Sequence, residues 1–385
     1  MALASHLPTL RLAPQLESAL RSGHPWIYRN HLGGRSFTDG TWLRVEAGSA
    51  VAFGLYDASS AIAVRLYSQQ TLPDEAWVAA RVDEALSLRQ GLASHSDTNA
   101  YRLLYGEGDS LPGIIVDRYE RYAVLQTYAQ SVQSLVPAVV KALSRRHRFR
   151  GILTRQDDGL QALYGQLPPP ELTVQENGLL MLANLYQGQK TGLFLDHRDN
   201  RSYLQRYVQG QRLLNLFSYS GAFSLYALAA GAAQVLDVDS AAAALEDAKR
   251  NVALNGFDAA LHRSICADCF AWLETNQERF DVVVLDPPSL ARNKKSRSAA
   301  LRAYRKLNSA AMQHVVEGGL LATASCTAQV SADDFRNMLS EAALAVNKRL
   351  QIIHEAAQAH DYPVPAHFPE GRYLKFVLAR VLPLC

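Results

Sequence analysis

The 385-residue sequence contains no hydrophobic run long enough to cross a membrane. A spanning helix needs about 20 largely apolar residues in succession, and no stretch of the chain approaches that length. The first residues, MALASHLPTLRLAPQLESALRSG, also lack the basic segment and apolar run of a secretory signal. Hydrophobic residues make up 48% and charged residues 19%, an ordinary globular composition. We therefore expect a cytoplasmic protein without a membrane partner.

Cysteine is scarce, with four residues and no spacing typical of a disulfide framework. The stretch Cys266-Ala-Asp-Cys269 resembles half of a metal or redox pair. It has no second pair and no histidine neighbours, which a closed zinc site requires. The sequence therefore predicts no metal site.

Charge of one sign is also limited, since the formal net charge is only +3. Bulk electrostatics therefore do not identify a nucleic-acid partner. Two local runs, RRHRFR at 145–150 and RNKKSR at 292–297, are dense enough to bind phosphates. A solvated helix end and a solvated loop are the alternative explanations. In the second run, the candidate RNA contacts are Lys294, Lys295 and Arg297.

Three domains are predicted from the pattern along the chain. Residues 1–71 alternate apolar and polar positions between turns, which indicates a small, mostly β module. Residues 72–186 combine a helical period over 72–96 with a hairpin turning at 118–121, which indicates an α+β segment. Residues 187–385 then form the third domain.

The third domain alternates strands with helices in a way typical of βαβ units on a parallel sheet. We predict an α/β, Rossmann-like sheet of about seven strands. The segments that predict its strands are RLLNLFS, QVLDVD, DVVVLDPPS, GLLATASCTA and YLKFVLARVL, and those that predict its helices are FSLYALAAG and AAAALEDAKRNVALNG.

Ligands of such sheets bind beyond the carboxyl ends of the strands, so the residues that follow each strand are the candidate site. The first turn, NLFSYSG, supplies Phe217, Ser218 and Gly221, with the glycine where a chain passes close under a ligand. Its spacing is not G-x-G-x-x-G, which disfavours a dinucleotide. No lysine-bearing phosphate loop indicates a nucleoside triphosphate.

Two acidic strand tips complete the predicted cofactor pocket. Asp239 suits a pair of ribose hydroxyls, although a helix N-cap is the alternative. Asp268 is placed to accept from the exocyclic amine of an adenine. These features favour S-adenosylmethionine. Arg198, in the charged stretch 189–201, is a candidate for the methionyl carboxylate, against the alternative of a helix N-terminus with surface ion pairs.

Asp286 ends an apolar strand and is followed by Pro287 and Pro288, which keep the backbone extended and hold the carboxyl at the edge of the sheet. Enzymes that methylate exocyclic amines generally place an aromatic residue after such prolines. Ser289 stands there instead, which argues against an adenine N6 enzyme.

Cys326 ends another apolar strand, so we expect it at the same edge as Asp286. Cytosine C5 is a poor nucleophile, and addition of a thiolate at C6 makes it able to attack a sulfonium methyl. Asp286 is suited to bind the N3/N4 edge of the base. It is also a candidate cofactor-binding residue. The alternative for Cys326 is a small hydrophobic residue of a buried strand.

The chain resembles the bacterial 23S ribosomal RNA 5-methylcytosine methyltransferase family over nearly its whole length. The stretches that carry the resemblance are HPWIYRNHLGG, YRLLYGEGDSLPGIIVDRY, GQKTGLFLDHRDNR, LLNLFSYSGAFS, VVVLDPPSLARNK, TASC and HDYPVPAHFPEGRYLK. The resemblance implies a PUA RNA-binding domain, a central α+β domain and a Rossmann-like methyltransferase domain. It also implies the roles given to Asp239, Asp268, Asp286 and Cys326. The family usually has serine at position 327 and lysine at 289, where this chain has Thr327 and Ser289.

Several functions therefore stay open. Cytosine-C5 methylation of 23S rRNA is the leading hypothesis, with a homodimer possible. Methylation of another atom, such as guanine N7, needs no nucleophile. A noncatalytic RNA-binding assembly factor would bind RNA without turnover, and a small-molecule methyltransferase would leave the two N-terminal segments unused.

Overall fold

The computed structural model describes residues 7–156, 159–291 and 296–384. The chain divides into two compact units, and each is described by itself. The first comprises the described parts of Met1–Val174, Ala183–Leu195 and Asp361–Gly371, and the second comprises those of Gln175–Leu182, Asp196–His360 and Arg372–Cys385. The domain boundaries predicted near residues 71 and 186 remain predictions.

The first unit begins with a five-stranded sheet in the order β1-β3-β4-β5-β2. Along β3, buried residues alternate strictly with partly exposed ones, which is the period-two pattern of a strand with one face in a core. Only β1 and β3 pair in parallel. The elements are β1 (Thr9–Arg11), α1 (Glu17–Ser22), β2 (Trp26–Tyr28), β3 (Trp42–Ala47), β4 (Ala50–Tyr56) and β5 (Ile62–Ser68).

A second five-stranded sheet of this unit has the order β10-β9-β8-β7-β6. The predicted hairpin is confirmed, since β7 and β8 pair in antiparallel fashion around Tyr119 and Tyr122. Helices α2 and α4 pack together over the same apolar core. The elements are α2 (Glu75–Leu88), α3 (Gln90–Ser94), β6 (Ala100–Tyr105), β7 (Ile114–Tyr119), β8 (Tyr122–Thr127), α4 (Val136–Arg146), β9 (Gly151–Gln156) and β10 (Gly159–Gly165).

A two-stranded hairpin, β11 (Leu172–Glu176) and β12 (Leu179–Ala183), lies where the chain passes between the units. Asn177 and Gly178 join the two strands in a tight turn, with positive φ values of 47° and 83°.

The second unit contains a seven-stranded sheet in the order β15-β14-β13-β16-β17-β19-β18. Neighbours from β15 to β17 pair in parallel, while β19 is antiparallel to both β17 and β18. The strands are β13 (Arg212–Leu216), β14 (Gln234–Asp239), β15 (His262–Cys266), β16 (Phe280–Leu285), β17 (Val315–Ser325), β18 (Lys348–Ala356) and β19 (Lys375–Pro383). The predicted α/β fold class is thus confirmed.

The helices of this unit connect the parallel strands and cover the sheet. They are α5 (Arg198–Leu204), α6 (Ala222–Ala229), α7 (Ala242–Leu254), α8 (Cys269–Thr275), α9 (Arg297–Gln313) and α10 (Ala332–Leu344). Strands β13 and β16 are almost wholly buried, as expected for a parallel sheet with both faces covered. In the described part of the chain, no helix combines the length and the apolar character needed to span a membrane.

Candidate active site

The loops that carry the predicted site residues leave one edge of the seven-stranded sheet. Leu216 lies beside Val238 on one side and Leu285 on the other, and Leu285 lies beside Thr323. The chain builds β13, β14 and β15 outward in one direction and then returns to β16 and β17. The point between β13 and β16 is therefore the topological switch point at which open α/β sheets bind ligands.

The loop that follows β13 has a strained backbone. Phe217 and Tyr219 have φ values of 58° and 50°, which non-glycine residues rarely adopt. The Phe217 amide donates to the carbonyl of Val238 at 2.9 Å, and the Tyr219 amide donates to Oδ2 of Asp239 at 2.8 Å. These bonds hold the loop against β14. Such strain concentrates at ligand-binding and catalytic sites.

Gly221 ends this loop with φ of 74°. A Cβ atom there would lie 2.9 Å from Cβ of Ala248 and 2.9 Å from Oδ2 of the buried Asp237. Glycine is therefore required by packing against α7 and β14, without reference to a ligand. Its predicted contact with the cofactor stays a prediction.

Asp239 is half-buried at the tip of β14. Besides the bond from Tyr219, its Oδ1 accepts from the amide of Ala241 at 2.8 Å. The N-cap alternative is wrong, because α7 begins at Ala242 with Ala241 in the capping position. Each carboxylate oxygen keeps acceptor capacity beyond its one backbone bond, which suits a ribose diol.

Asp268 has a local structural task. It is the N-cap of α8, and its Oδ1 accepts from the amide of Ala271 at 2.9 Å. The side chain is exposed. The next aromatic residue, Phe270, packs edge-on against Phe217 with ring centroids 6.1 Å apart. The carboxylate of Asp268 thus lies close in sequence to the aromatic pair Phe270 and Phe217. Its contact with adenine remains a prediction.

Ser218 supplies the clearest sign of a polar ligand at this edge. Its residue exposure is only 7%, and its Oγ forms no hydrogen bond within the described residues. Buried hydroxyls are nearly always paired, so an unpaired one beside a strained loop fits a site that is completed by a bound molecule.

Asp286 and Cys326 follow the neighbouring parallel strands β16 and β17, as the sequence predicts. Cys326 is half-buried, and its Sγ lies 3.9 Å from the carbonyl oxygen of Pro287. The Asp286 side chain is 22% exposed. The thiol and the carboxyl therefore share one edge and remain accessible.

Lys375 is a neighbour of Cys326 that the sequence did not single out. It starts β19 opposite Ser325, and its Nζ donates to the carbonyls of Thr327 and Tyr373. Burial lowers the pKa of Lys375 to about 8, against the opposing effect of a thiolate at Cys326. A nearby ammonium stabilises a thiolate, which is the reactive form of cysteine.

Two hydroxyls are buried behind Cys326. Tyr304 of α9 and Ser325 of β17 are both inaccessible, and neither side-chain oxygen completes a well-aligned hydrogen bond within the described residues. Burial raises the pKa of Tyr304 to about 12, with a further contribution from negative charge at Cys326. Tyr304 is therefore a neutral phenol.

His197 is the second residue that the sequence did not assign. Its Nε2 lies 3.3 Å from Oδ2 of Asp286. His197 lies in GQKTGLFLDHRDNR, one of the stretches that resemble the methyltransferase family. It is 89 positions before Asp286, so no local pattern links the two residues.

Arg198 begins α5 and is 1% exposed. Its Nε lies 3.3 Å from Oδ1 of Asp199. Arg201 is also buried, in a bidentate ion pair with Glu176. The alternative of a helix N-terminus is confirmed for Arg198, but both arginines are buried and not on the surface. A role of Arg198 at the methionyl carboxylate stays a prediction.

The predicted RNA contacts fall partly outside the described residues, because Lys294 and Lys295 lie there. Arg297 begins α9, and its guanidinium lies 2.6 Å from Oδ1 of Asp334. The hydrogen bonds of Arg297 and Ser331 lower the pKa of Asp334 to about 2. The positive charge of Arg297 is thus partly neutralised by Asp334.

The two closely spaced cysteines bond to different backbone carbonyls. The Sγ of Cys269 lies 3.3 Å from the oxygen of Val238, and that of Cys266 lies 3.6 Å from the oxygen of Ser240. Among the residues with described coordinates, no group of three or more His, Cys, Asp or Glu could hold a metal ion.

Two regions of the chain match models of known protein families. Residues 115–364 match the model of the S-adenosylmethionine-dependent methyltransferases, and residues 10–69 match that of a PUA-like domain. The structure of SMU.776 complexed with SAH has the same fold, with a TM-score of 0.89 and 23% identity over 97% of this chain and 100% of that one.

Curated relatives match nearly the whole length. The ribosomal RNA large subunit methyltransferase of Deinococcus radiodurans is 38% identical over 98% of this chain and 99% of its own. The ribosomal RNA large subunit methyltransferase I of Escherichia coli is 35% identical, and the match covers 97% of this chain and 99% of that protein. The chain therefore belongs to the S-adenosylmethionine-dependent methyltransferases, with S-adenosylmethionine as its cofactor and a PUA-like domain on its N-terminal side.

Proposed function

We propose that this protein methylates C5 of a cytosine in the RNA of the large ribosomal subunit, 23S rRNA, through a covalent bond between Cys326 and C6 of the base. The observation that carries the proposal is an accessible thiol and a carboxyl at the ends of adjacent strands, Cys326 and Asp286. Methylation of a ring nitrogen needs no thiol. The names of the relatives, which are ribosomal RNA large subunit methyltransferases, support the substrate class.

The cofactor, when bound, supplies an electrophilic methyl on a sulfonium sulfur. The proposed holders of its adenosyl part are Phe217, Ser218, Gly221, Asp239 and Asp268. Arg198 is proposed for its carboxylate. The unpaired hydroxyl of Ser218 supports this placement, because its hydrogen-bonding capacity is not used within the described residues.

The reaction then follows from the chain's own residues. The Cys326 thiolate adds to C6, with Lys375 stabilising the thiolate, and the electrons displaced from the C5–C6 double bond make C5 nucleophilic. Asp286 binds the N3/N4 edge of the base by accepting from the N4 amino group, which orients C6 toward the thiolate. C5 would form a bond to the methyl carbon as the bond from that carbon to the sulfonium sulfur breaks, so that S-adenosylhomocysteine would leave as a neutral thioether. A base, either Asp286 or a bound water, removes the C5 proton, and the C6–S bond breaks to release Cys326.

RNA recognition is proposed for residues 1–71, which contain the PUA-like match, together with Lys294, Lys295 and Arg297. Residues 72–186 form the proposed central domain, and residues 187–385 form the methyltransferase domain. Since ribosomes are assembled in the cytoplasm of bacteria, this function places the protein there.

The test is methyl transfer from labelled S-adenosylmethionine to unmodified large-subunit rRNA, with nucleoside analysis of the product. We expect 5-methylcytidine from the wild type and loss of transfer in Cys326→Ala. Cys266→Ala is the matched control, because it removes an exposed thiol of the same sheet. RNA containing 5-fluorocytosine should trap a covalent adduct with the wild type and the control, since fluorine at C5 cannot leave as a proton.

Two results would contradict the proposal. Undiminished transfer by Cys326→Ala, with a product such as 7-methylguanosine, would select direct methylation of another atom. RNA binding without any methyl transfer by the wild type would select a noncatalytic assembly factor.

A further inference from the structure

His197 is a buried titratable residue that the proposed chemistry does not use. It directly precedes α5, and its side chain is 3% exposed. The rings of Phe223 and Phe376 pack edge-on against the imidazole, at centroid distances of 5.4 and 6.1 Å. Within this apolar wall, Nε2 approaches Oδ2 of Asp286 to 3.3 Å.

The protonation of the imidazole follows from its contact with Asn200. Nδ2 of Asn200 lies 3.2 Å from the carbonyl oxygen of Ala357 and 3.1 Å from Nδ1 of His197. A backbone carbonyl only accepts, so the Asn200 atom that faces it is the NH₂ group. The same NH₂ group donates to Nδ1, which is therefore unprotonated. The single ring proton then lies on Nε2, the nitrogen that faces Asp286.

We propose that His197 is a positioning residue that fixes the orientation of the Asp286 carboxylate through an Nε2–H donor. In this proposal Oδ2, which lies 3.3 Å from Nε2, is turned toward His197, and Oδ1 is left to accept from the N4 amino group of the target cytosine. The inference rests on the proposed function, since it concerns the same site. It adds a relay from the Ala357 carbonyl through Asn200 and His197 to Asp286.

The same hydrogen bonds exclude His197 as the base that removes the C5 proton. Nδ1 is occupied by the Asn200 donor, and Nε2 already carries a proton, so neither nitrogen accepts the C5 proton. Protonation at Nδ1 would turn an N–H toward the Asn200 NH₂ group and break the relay. His197 thus acts as a hydrogen-bond donor to Asp286 and not as the base that removes the C5 proton.

The kinetic test compares two substitutions in the full-length enzyme. The amide nitrogen of a glutamine can replace the Nε2 donor, whereas alanine cannot. We expect His197→Ala to lower kcat by about 10- to 100-fold, as is typical when a group that orients a catalytic-site residue is removed. KM for S-adenosylmethionine should change little, because the relay contacts the base-binding carboxyl. His197→Gln should restore most of kcat, and equal kcat values for the two variants would overturn the inference.

The second measurement is made on the wild type, and a variant serves only to assign the spectrum. Nitrogen NMR of ¹⁵N-histidine-labelled wild type, assigned with the His197→Gln spectrum, should show a protonated Nε2 and an unprotonated Nδ1 for His197. The opposite tautomer, or a doubly protonated ring at neutral pH, would overturn the inference. Cys326→Ala in the same methyl-transfer assay reports separately on the proposed function. The NMR result does not depend on which base atom is methylated.

Discussion

At the scale of single residues, the main feature is the polar environment of Cys326. Lys375 is 6% exposed, and its ammonium donates hydrogen bonds to two backbone carbonyls. It also lies close enough to Cys326 to interact electrostatically with the thiol. Burial of an ammonium disfavours its charged form. The folded protein therefore holds a lysine that loses its proton more easily than a lysine in water.

This lysine makes stability depend on pH in a definable window. Its pKa is about 8 in the folded protein against the ordinary lysine value of 10.5, so the unfolded chain binds more protons between these values. The contribution of Lys375 to the free energy of unfolding therefore rises with pH across this window and is least favourable below pH 8. In Lys375→Met this rise should be absent. The difference between the two proteins should change by up to about 3 kcal/mol, at 1.36 kcal/mol per pKa unit.

Urea denaturation from pH 7 to pH 10.5 measures this difference. Lys306→Met is the control, because the Lys306 side chain is 69% exposed in its contact with Glu274. A constant difference between wild type and Lys375→Met over the whole range would contradict the expectation.

At the scale of elements, the hairpin β11–β12 is joined to α5, α6 and α7 by polar contacts. Glu176 accepts two bonds from Nη2 of Arg201 at 2.7 and 2.9 Å, and one from the hydroxyl of Tyr226 at 2.9 Å. Side-chain amides of Asn251 and Asn255 accept from the amides of Leu182 and Leu180. The hairpin thus orients α5, the helix that follows His197.

Glu176→Gln should strongly destabilise this arrangement. The substitution removes the carboxylate that forms a bidentate ion pair with the guanidinium of Arg201, which is 3% exposed. Breaking a buried pair in this way costs about 3 to 5 kcal/mol. Glu355→Gln is the matched control, because its pair with Arg336 is about half-exposed and such pairs contribute about 0 to 1 kcal/mol. Denaturant titration of both variants measures the free energy of unfolding. Equal losses of this free energy in Glu176→Gln and Glu355→Gln would contradict the prediction.

At the scale of the whole molecule, a net charge of +3 is too small to hold a polyanion without local concentration of positive charge. The run at 292–297 provides such a concentration between β16 and α9. Arg297 already pairs with Asp334, so the two lysines are the stronger candidates for phosphate contacts.

The proposed phosphate contacts predict a change in salt dependence. In a filter-binding assay between 50 and 200 mM salt, Lys294→Ala together with Lys295→Ala should reduce the slope of log K against log salt by about 1 per lysine. Arg297→Ala, the matched control, should reduce it less. An unchanged slope in the double variant would show that this run does not contact phosphates.

The sequence by itself determined five strands (β13, β14, β16, β17 and β19), the two helices α6 and α7, and the edge that Asp286 and Cys326 share. These features follow from local periodicity and from the rule that parallel strands end at one edge, so they need no knowledge of distant contacts. It did not identify β18, whose side chains are mostly exposed or half-exposed and follow no simple apolar pattern.

Only the tertiary structure decided which polar groups meet at that edge. His197 reaches Asp286, and Lys375 reaches Thr327, across 89 and 48 positions of sequence, and no local pattern reports such pairings. The tertiary structure also replaced the N-cap explanation of Asp239. It buried Arg198 and Arg201, whereas the alternative explanation of the charged stretch 189–201 had been surface ion pairs. The physical reason is that burial and hydrogen-bond partners are properties of the packed chain, whereas periodicity is a property of each segment.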